Sequence, residues 1–201
     1  MDKKYWESFY KKHNKPFEPS PFSKFVMKYI GDCSDIILDL GCGNGRDSLY
    51  FCEQGLTTLA IDQCDNIISE LKTYDIGNLN PIALNFEDLT DEYKVDHLYS
   101  RFTLHSVPED VEDYVFEWAR YNVDKYFFIE VRSDSDSLVN KDTDHYRRFL
   151  NFENTLRKLI DFGFNIVYAE KSRGFSVYKP EFGVDYNEDD PMLIRIVAKN
   201  D

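Results

Sequence analysis

The sequence predicts an α/β protein with a doubly wound, seven-stranded, mostly parallel sheet. Three observations carry the expectation. Ile36-Ile-Leu-Asp-Leu40 is a short apolar run of the kind buried in a parallel sheet, and it ends in glycines at alternate positions, Gly41, Gly43 and Gly45. Residues 46–54 then read as a helix stopped by Gly55. Thr57-Thr-Leu-Ala-Ile61 is a second strand that runs into Asp62. Strand, glycine turn, helix and a second strand ending in a carboxylate make the first half of a nucleotide-binding unit. The glycines let the backbone turn sharply and approach a ligand, and the helix N-terminus beyond them offers unpaired N–H groups.

The other elements follow in order. Tyr5, Trp6, Phe9 and Tyr10 share one face of a short helix in a basic arm that also holds Lys3, Lys4, Lys11 and Lys12. Pro16-Phe-Glu-Pro-Ser-Pro21 breaks the chain. Ser20 then serves as N-cap and Pro21 as the first residue of a helix that carries Phe22, Phe25, Val26, Tyr29 and Ile30 and stops at Gly31. Residues 66–74 form a helix with Ile67, Ile68 and Leu71 inward, and residues 81–84 a third strand. Residues 96–100 form a fourth strand, 109–123 an amphipathic helix with Val111, Tyr114, Val115 and Trp118, and 126–131 a fifth strand. A helix over 151–162 ends at Gly163, and residues 166–169 and 193–198 are the last two strands. No helix separates those two, so the last strand is expected to run antiparallel. The expected division is an N-terminal helical arm or lid over residues 1–32 and one domain over 33–201.

At 201 residues the chain is long enough for one full core. Its net charge is −13, from 24 basic against 37 acidic residues. That disfavours nucleic acid, whose phosphates need a basic surface. No stretch is long and apolar enough to cross a bilayer, and Met1-Asp-Lys-Lys-Tyr-Trp6 has no signal-peptide pattern, so no membrane partner and a cytoplasmic location are expected. Cys33, Cys42, Cys52 and Cys64 form no C-x-x-C pair and read as reduced thiols, neither a zinc site nor a disulfide framework.

In open α/β sheets a ligand sits beyond the carboxyl ends of the strands. That rule selects Asp39, Gly41, Gly43 and Gly45 after the first strand, and Asp62 and Gln63 after the second. It selects Asn85, Phe86 and Glu87 after the third, Ser100, Arg101, Phe102 and His105 after the fourth, and Glu130 and Arg132 after the fifth. A carboxylate about 20 residues beyond a glycine turn can accept both hydroxyls of a ribose.

A dinucleotide-binding turn usually reads G-x-G-x-x-G, whereas this one reads G-x-G-x-G. Asp39-Leu-Gly-Cys-Gly-Asn-Gly45, with Asp62 ending the next strand, resembles the first two motifs of the class I S-adenosylmethionine-dependent methyltransferases, and the resemblance extends over about residues 33–200. It implies S-adenosylmethionine as cofactor, with Asp39, Gly41, Gly43 and Gly45 at the cofactor turn and Asp62 on the ribose. It also implies that the Asn85-Phe86 segment reaches the adenine edge. Asn85 stands where the family commonly has an acidic side chain. An amide can still pair with an exocyclic amine, and Glu87 or Asp88 is the alternative contact. Gln63 and Ser100 are further cofactor candidates, Gln63 being alternatively a solvent-exposed residue. Arg46 either closes over the methionine carboxylate or makes a surface salt bridge.

Methyl transfer from a sulfonium is an in-line displacement in which the protein aligns nucleophile, methyl and sulfur, and an oxygen nucleophile often also needs a base. His105 after the fourth strand, His145 in the loop after the fifth, and Glu130 near the end of the fifth are the candidate catalytic groups. For each histidine the alternative is a hydrogen-bonded loop residue, and His97, inside the fourth strand, reads as structural. Arg132, Tyr146, Arg147, Arg148 and Arg173 are candidate acceptor ligands, because arginines present forked donors suited to phosphate or carboxylate. The alternative for the arginines is pairing with Asp134, Asp136, Asp142 and Asp144. The expected partner is a small acceptor molecule, anionic or sugar-linked. Tyr5-Trp-Glu-Ser-Phe-Tyr10, Glu18-Pro-Ser-Pro-Phe22, Asp144-His-Tyr-Arg-Arg-Phe149 and Asp190-Pro-Met-Leu-Ile-Arg-Ile196 together resemble a bacterial subgroup associated with surface-polysaccharide and small-molecule pathways. The Asn-Pro-Pro-Tyr motif of amino-methylating DNA enzymes is absent. The alternative functions are methylation of protein or RNA, and a non-catalytic module that keeps the cofactor pocket.

Overall fold

The computed structural model describes residues 3–12, 16, 18–136, 145–175 and 190–201. The elements run α1 (Lys3–Lys12), α2 (Pro21–Val26), β1 (Ile36–Leu40), α3 (Arg46–Glu53), β2 (Thr57–Asp62), α4 (Asp65–Leu71), β3 (Leu79–Ala83), β4 (Val95–Arg101), α5 (Glu109–Asn122), β5 (Val123–Arg132), α6 (Phe152–Asp161), β6 (Asn165–Ser172) and β7 (Leu193–Lys199). The strands form one sheet in the order β3-β2-β1-β4-β5-β7-β6. The first five pair in parallel, and β7 is antiparallel to both β5 and β6, as the missing crossover helix predicts. Among the described residues no helix is long and apolar enough to cross a membrane.

The strands are covered on both faces, and successive residues alternate between two cores. Leu38, Leu98, Phe127 and Ile196 face α5 and α6, packing with Val115, Phe116, Trp118 and Leu159. Their neighbours Ile37, Tyr99, Phe128 and Val197 pack with Phe22 and Val26 of α2 and Phe51 of α3. Each such side chain, fully buried, contributes about 1.5–3 kcal/mol. A third cluster joins Ile67, Ile68 and Leu71 of α4 to Cys42, Cys52 and Cys64, with Trp6 and Tyr10 of α1 packed on its edge.

Several boundaries differ from the sequence reading, among them the end of α4 at Leu71 and of β6 at Ser172. Ser20 does cap α2, accepting the Ser23 N–H at 3.0 Å, but the helix ends at Val26 and not at Gly31. There the bonds tighten to i→i−3: Lys28 N–H donates to Phe25 O and Tyr29 N–H to Val26 O. Strand β3 starts at Leu79 and carries Pro81 within it, which a sheet edge tolerates because one row of N–H groups has no partner. Strand β5 begins at Val123, directly after α5 and three residues before the expected start. His97 is buried in β4 with Nε2 on Asp35 Oδ2 at 2.9 Å, a structural role. β1 has β2 and β3 on one side and β4 on the other. Its carboxyl end therefore lies at the point where the strand order reverses, the place where such sheets open a crevice.

Candidate active site

At that crevice β1 delivers the glycine turn. Gly41 (φ +78°) and Gly43 (φ +53°) lie in the left-handed region, which glycine adopts without steric cost. A Cβ on Gly41 would stand 2.5 Å from Thr103 Oγ1, and one on Gly43 would overlap the Tyr10 hydroxyl. The N–H groups of Gly41 and Cys42 both donate to Ile61 O, at 2.8 and 2.9 Å, pinning the turn to β2. Asp62 closes it: Oδ2 accepts the Gly43 N–H at 3.1 Å and Oδ1 the Cys64 N–H at 2.9 Å. Burial raises the Asp62 pKa above the ordinary carboxylate value even against those amides. Asp39 accepts from the Ser48 hydroxyl at 2.6 Å. Burial, then the neighbouring Asp47 carboxylate, pushes its pKa up to about 8. Asp47 accepts from Ser20 N–H, Ser20 Oγ and Tyr99 Oη at 2.8, 2.8 and 2.7 Å, so the proline-rich segment, α3 and β4 meet on one carboxylate.

The turn opens into a cavity of about 320 Å³. Asp39, Asp47 and Asp62 give it an acidic wall, and Arg101, Arg132 and Arg147 a basic one. Trp6, Phe9 and Tyr10 of α1, with Phe86 and Phe102, add aromatic surface. Cys42 also lines it, and burial raises the thiol pKa of both Cys42 and Cys64, so they stay protonated.

The basic wall is built on the end of β4. Arg101 Nε donates to Glu130 Oε1 at 2.9 Å, and its guanidinium lies 4.1 Å from the Phe102 ring centroid. Phe102 holds φ +58°, uncommon for a bulky side chain. Its N–H donates to Glu130 O at 2.8 Å, while the adjacent Thr103 Oγ1 donates to Leu40 O at 2.9 Å, so β1 and β5 together enforce the turn. Enforced strain of this kind concentrates at functional sites. His105 Nδ1 accepts the Arg132 N–H at 3.3 Å. Burial, then the charges of Arg147 and Arg132, hold its pKa well below the usual imidazole value. The ring is therefore neutral, and an accepting Nδ1 assigns its proton to Nε2. Arg147 donates to His145 Nε2 at 3.0 Å.

Of the residues the sequence selects, Asp39, Gly41, Gly43, Arg46, Asp62, Gln63, Phe86, Arg101, Phe102, His105, Arg132 and Arg147 line this one cavity. Gln63 is buried, and Arg46 also reaches the Glu18 carbonyl and, at 3.9 Å, Asp47. The others lie outside the lining. Gly45 sits at the N-cap of α3 with φ +77°. Asn85 is exposed and donates to Asp88 Oδ2 at 3.0 Å. Ser100 is buried in β4, its hydroxyl without a partner among the described residues. Glu130 is fully buried, with Oε1 on Arg101 and Oε2 on Arg195 Nε and Nη2 at 3.0 and 2.5 Å. Arg148 is paired with Glu112 of α5 at 2.5 Å and donates to the carbonyls of Val107 and Leu104. Arg173 pairs with Asp136 at 2.7 Å, Tyr146 is exposed, and His145 sits behind Arg147. Asp142 and Asp144 lie outside the described residues. Sequence reasoning gave Tyr10, Trp6, Tyr99, Arg101 and Thr103 no cofactor, acceptor or catalytic role. The strand-end rule already marked Arg101, and the aromatic face of α1 marked Trp6 and Tyr10, whereas nothing local marks Thr103.

The family model for tellurite resistance protein TehB matches residues 4–108, more than half of the chain. No curated protein matches the sequence. Among solved structures, the TehB-like S-adenosylmethionine-dependent methyltransferase of Corynebacterium glutamicum is 16% identical with a TM-score of 0.66, over 90% of this chain and 88% of that one. The 1,6-didemethyltoxoflavin-N1-methyltransferase of Burkholderia thailandensis, solved with 1,6-didemethyltoxoflavin and S-adenosylhomocysteine bound, is 18% identical with a TM-score of 0.67, over 90% and 76%. An S-adenosylmethionine-dependent methyltransferase of Mesorhizobium loti is 16% identical with a TM-score of 0.67, over 90% and 98%. At these identities the structural likeness is one of fold, and it agrees with the matched family. The chain belongs to the TehB family of class I S-adenosylmethionine-dependent methyltransferases.

Proposed function

We propose that the protein transfers the methyl group of S-adenosylmethionine to a small acceptor that carries a negative charge. One observation carries the reading: a single cavity is lined by buried carboxylates at the glycine turn and by Arg101, Arg132 and Arg147 beyond β4 and β5. The acidic side chains give a cofactor ammonium hydrogen-bond acceptors, and the turn without side chains beside Asp62 suits a ribose. The arginines suit an anion. When bound, S-adenosylmethionine supplies an electrophilic methyl carbon on positively charged sulfur.

The chain's own part is positioning. Asp62 accepts the ribose hydroxyls, Phe86 offers an apolar wall, and the three arginines hold the acceptor's charge. Glu130 acts behind Arg101, fixing it through Nε. His105 offers an N–H donor at Nε2, and His145 already accepts from Arg147. With an accepting nitrogen of each ring engaged, the site favours an acceptor that arrives ionised and needs no proton removed. A sugar-linked carboxylate or phosphate meets the same description.

Two measurements test the two halves. In calorimetry with S-adenosylhomocysteine, Asp62→Ala weakens binding by about 1.5–3 kcal/mol, roughly 10- to 150-fold. In purified protein given isotope-labelled S-adenosylmethionine and a small-molecule extract, mass spectrometry finds the label in anionic acceptors, and Arg147→Ala raises their KM. Label confined to neutral acceptors, to protein or to RNA sinks the anionic reading.

A further inference from the structure

Helix α1 touches both halves of the cavity. The Tyr10 hydroxyl abuts Gly43, and burial, then the charge of Asp62, raises the Tyr10 pKa, so the hydroxyl stays protonated. Five residues earlier, Tyr5 stacks on His145 with ring centroids 4.3 Å apart and planes 22° apart, and Trp6 meets the same imidazole edge-on at 5.0 Å. His145 accepts from Arg147, which lines the cavity. The helix has no fully buried residue. Polar links to α4 also hold it: Lys3 Nζ to Asp65 at 2.7 Å and Asn66 Nδ2 to Glu7 O at 3.3 Å. Tyr5 and Tyr10 are about 7.5 Å apart along the axis of one hydrogen-bonded helix, so a displacement at one end reaches the other.

We propose that α1 couples the two half-sites: Tyr5 is a positioning residue that sets the His145–Arg147 pair, and Tyr10 at the glycine turn makes that setting respond to the cofactor. The proposal rests on the reading that Gly43 and Asp62 border the cofactor and Arg147 the acceptor. A ligand beside Gly43 shares its space with the Tyr10 hydroxyl, and so bears on the helix that carries Tyr5. Coupling of this kind is reciprocal: an anion held at Arg147 changes cofactor affinity by the factor by which the cofactor changes anion affinity.

The test is proton NMR of the histidine rings in the full chain during titration with S-adenosylhomocysteine, the His145 resonance being identified by its loss in His145→Gln. The ring currents of Tyr5, stacked on His145, and of Trp6, edge-on to it, make His145 a reporter of how α1 sits. Saturation is expected to shift the His145 resonance in the wild type and in Tyr5→Phe, which keeps the ring, and to shift it much less in Tyr5→Ala, where only Trp6 still meets the imidazole, while calorimetry still registers binding. Tyr5→Leu gives a second ring-free variant if Tyr5→Ala does not fold. A His145 resonance unmoved in the saturated wild type, or moved equally in the ring-free variants, overturns the coupling. Absence of any calorimetric binding by the wild type overturns the cofactor reading instead, and the coupling with it.

Discussion

The acidic and the basic walls of the cavity are built by different means. At the glycine turn and Asp62 the acidic wall is fixed by backbone: left-handed glycines, two amides on Ile61 O, and a carboxylate that accepts two N–H groups within two residues of itself or across the turn. The basic wall is anchored at Arg101 by a side-chain network between distant segments, Arg101–Glu130–Arg195. Backbone demands of the first kind leave their mark on the residue types at the site, because only glycine meets them cheaply. Pairs of the second kind depend on which segments the fold brings together.

The contrast breaks most readily at Glu130. Glu130→Ala leaves Arg101 and Arg195 without their shared buried carboxylate and is expected to destabilise the protein by about 3–5 kcal/mol, lowering Tm by roughly 6–20 °C. Below that temperature the backbone-built wall persists, so S-adenosylhomocysteine affinity is expected to hold. An affinity loss as large as the stability loss would show that the two walls are one construction. Gly41→Ala attacks the other wall. It forces a side chain into the left-handed region, at about 1–2 kcal/mol, and against Thr103, at about 1–3 kcal/mol. Thermal unfolding of Gly41→Ala, Thr103→Ala and the double variant should give a non-additive cycle, the second substitution recovering part of the clash.

A further expected effect is a slope. Asp39 has its folded pKa raised to about 8, so the folded chain retains a proton that the unfolded chain releases from about pH 4 upward. Its contribution to stability is fully present at low pH and is lost as pH rises through that window. Asp39→Asn should flatten the fall of Tm between about pH 5 and 8, as followed by calorimetric scans without cofactor.

The same contrast explains what was legible in the sequence. Seven strands, the antiparallel last one and the glycine turn with Asp62 follow from local pattern and spacing. The early end of α2 does not, because Gly31 is a plausible stop and the tightening after Val26 is set by tertiary packing of Phe25 and Tyr29. At the site, Arg132, Arg147 and Arg148 look alike in the sequence. Two line the cavity, while Arg148 is spent on Glu112, an acid 36 residues away that no local rule connects to it. Glu130 likewise looks like a candidate catalytic carboxylate until Arg195 is seen opposite it in the β5–β7 register.

The place of β7 has a consequence for how the chain is made. It lies between β5 and β6 in the sheet but follows β6 in the sequence. Until β7 has emerged from the ribosome, β6 has no strand to pair with and β5 presents an open edge. Asn165 at the start of β6 waits for Lys199, at the far end of β7, to complete its register. The nascent protein therefore carries two unpaired edges, the usual template for wrong association, until its last strand slides between them.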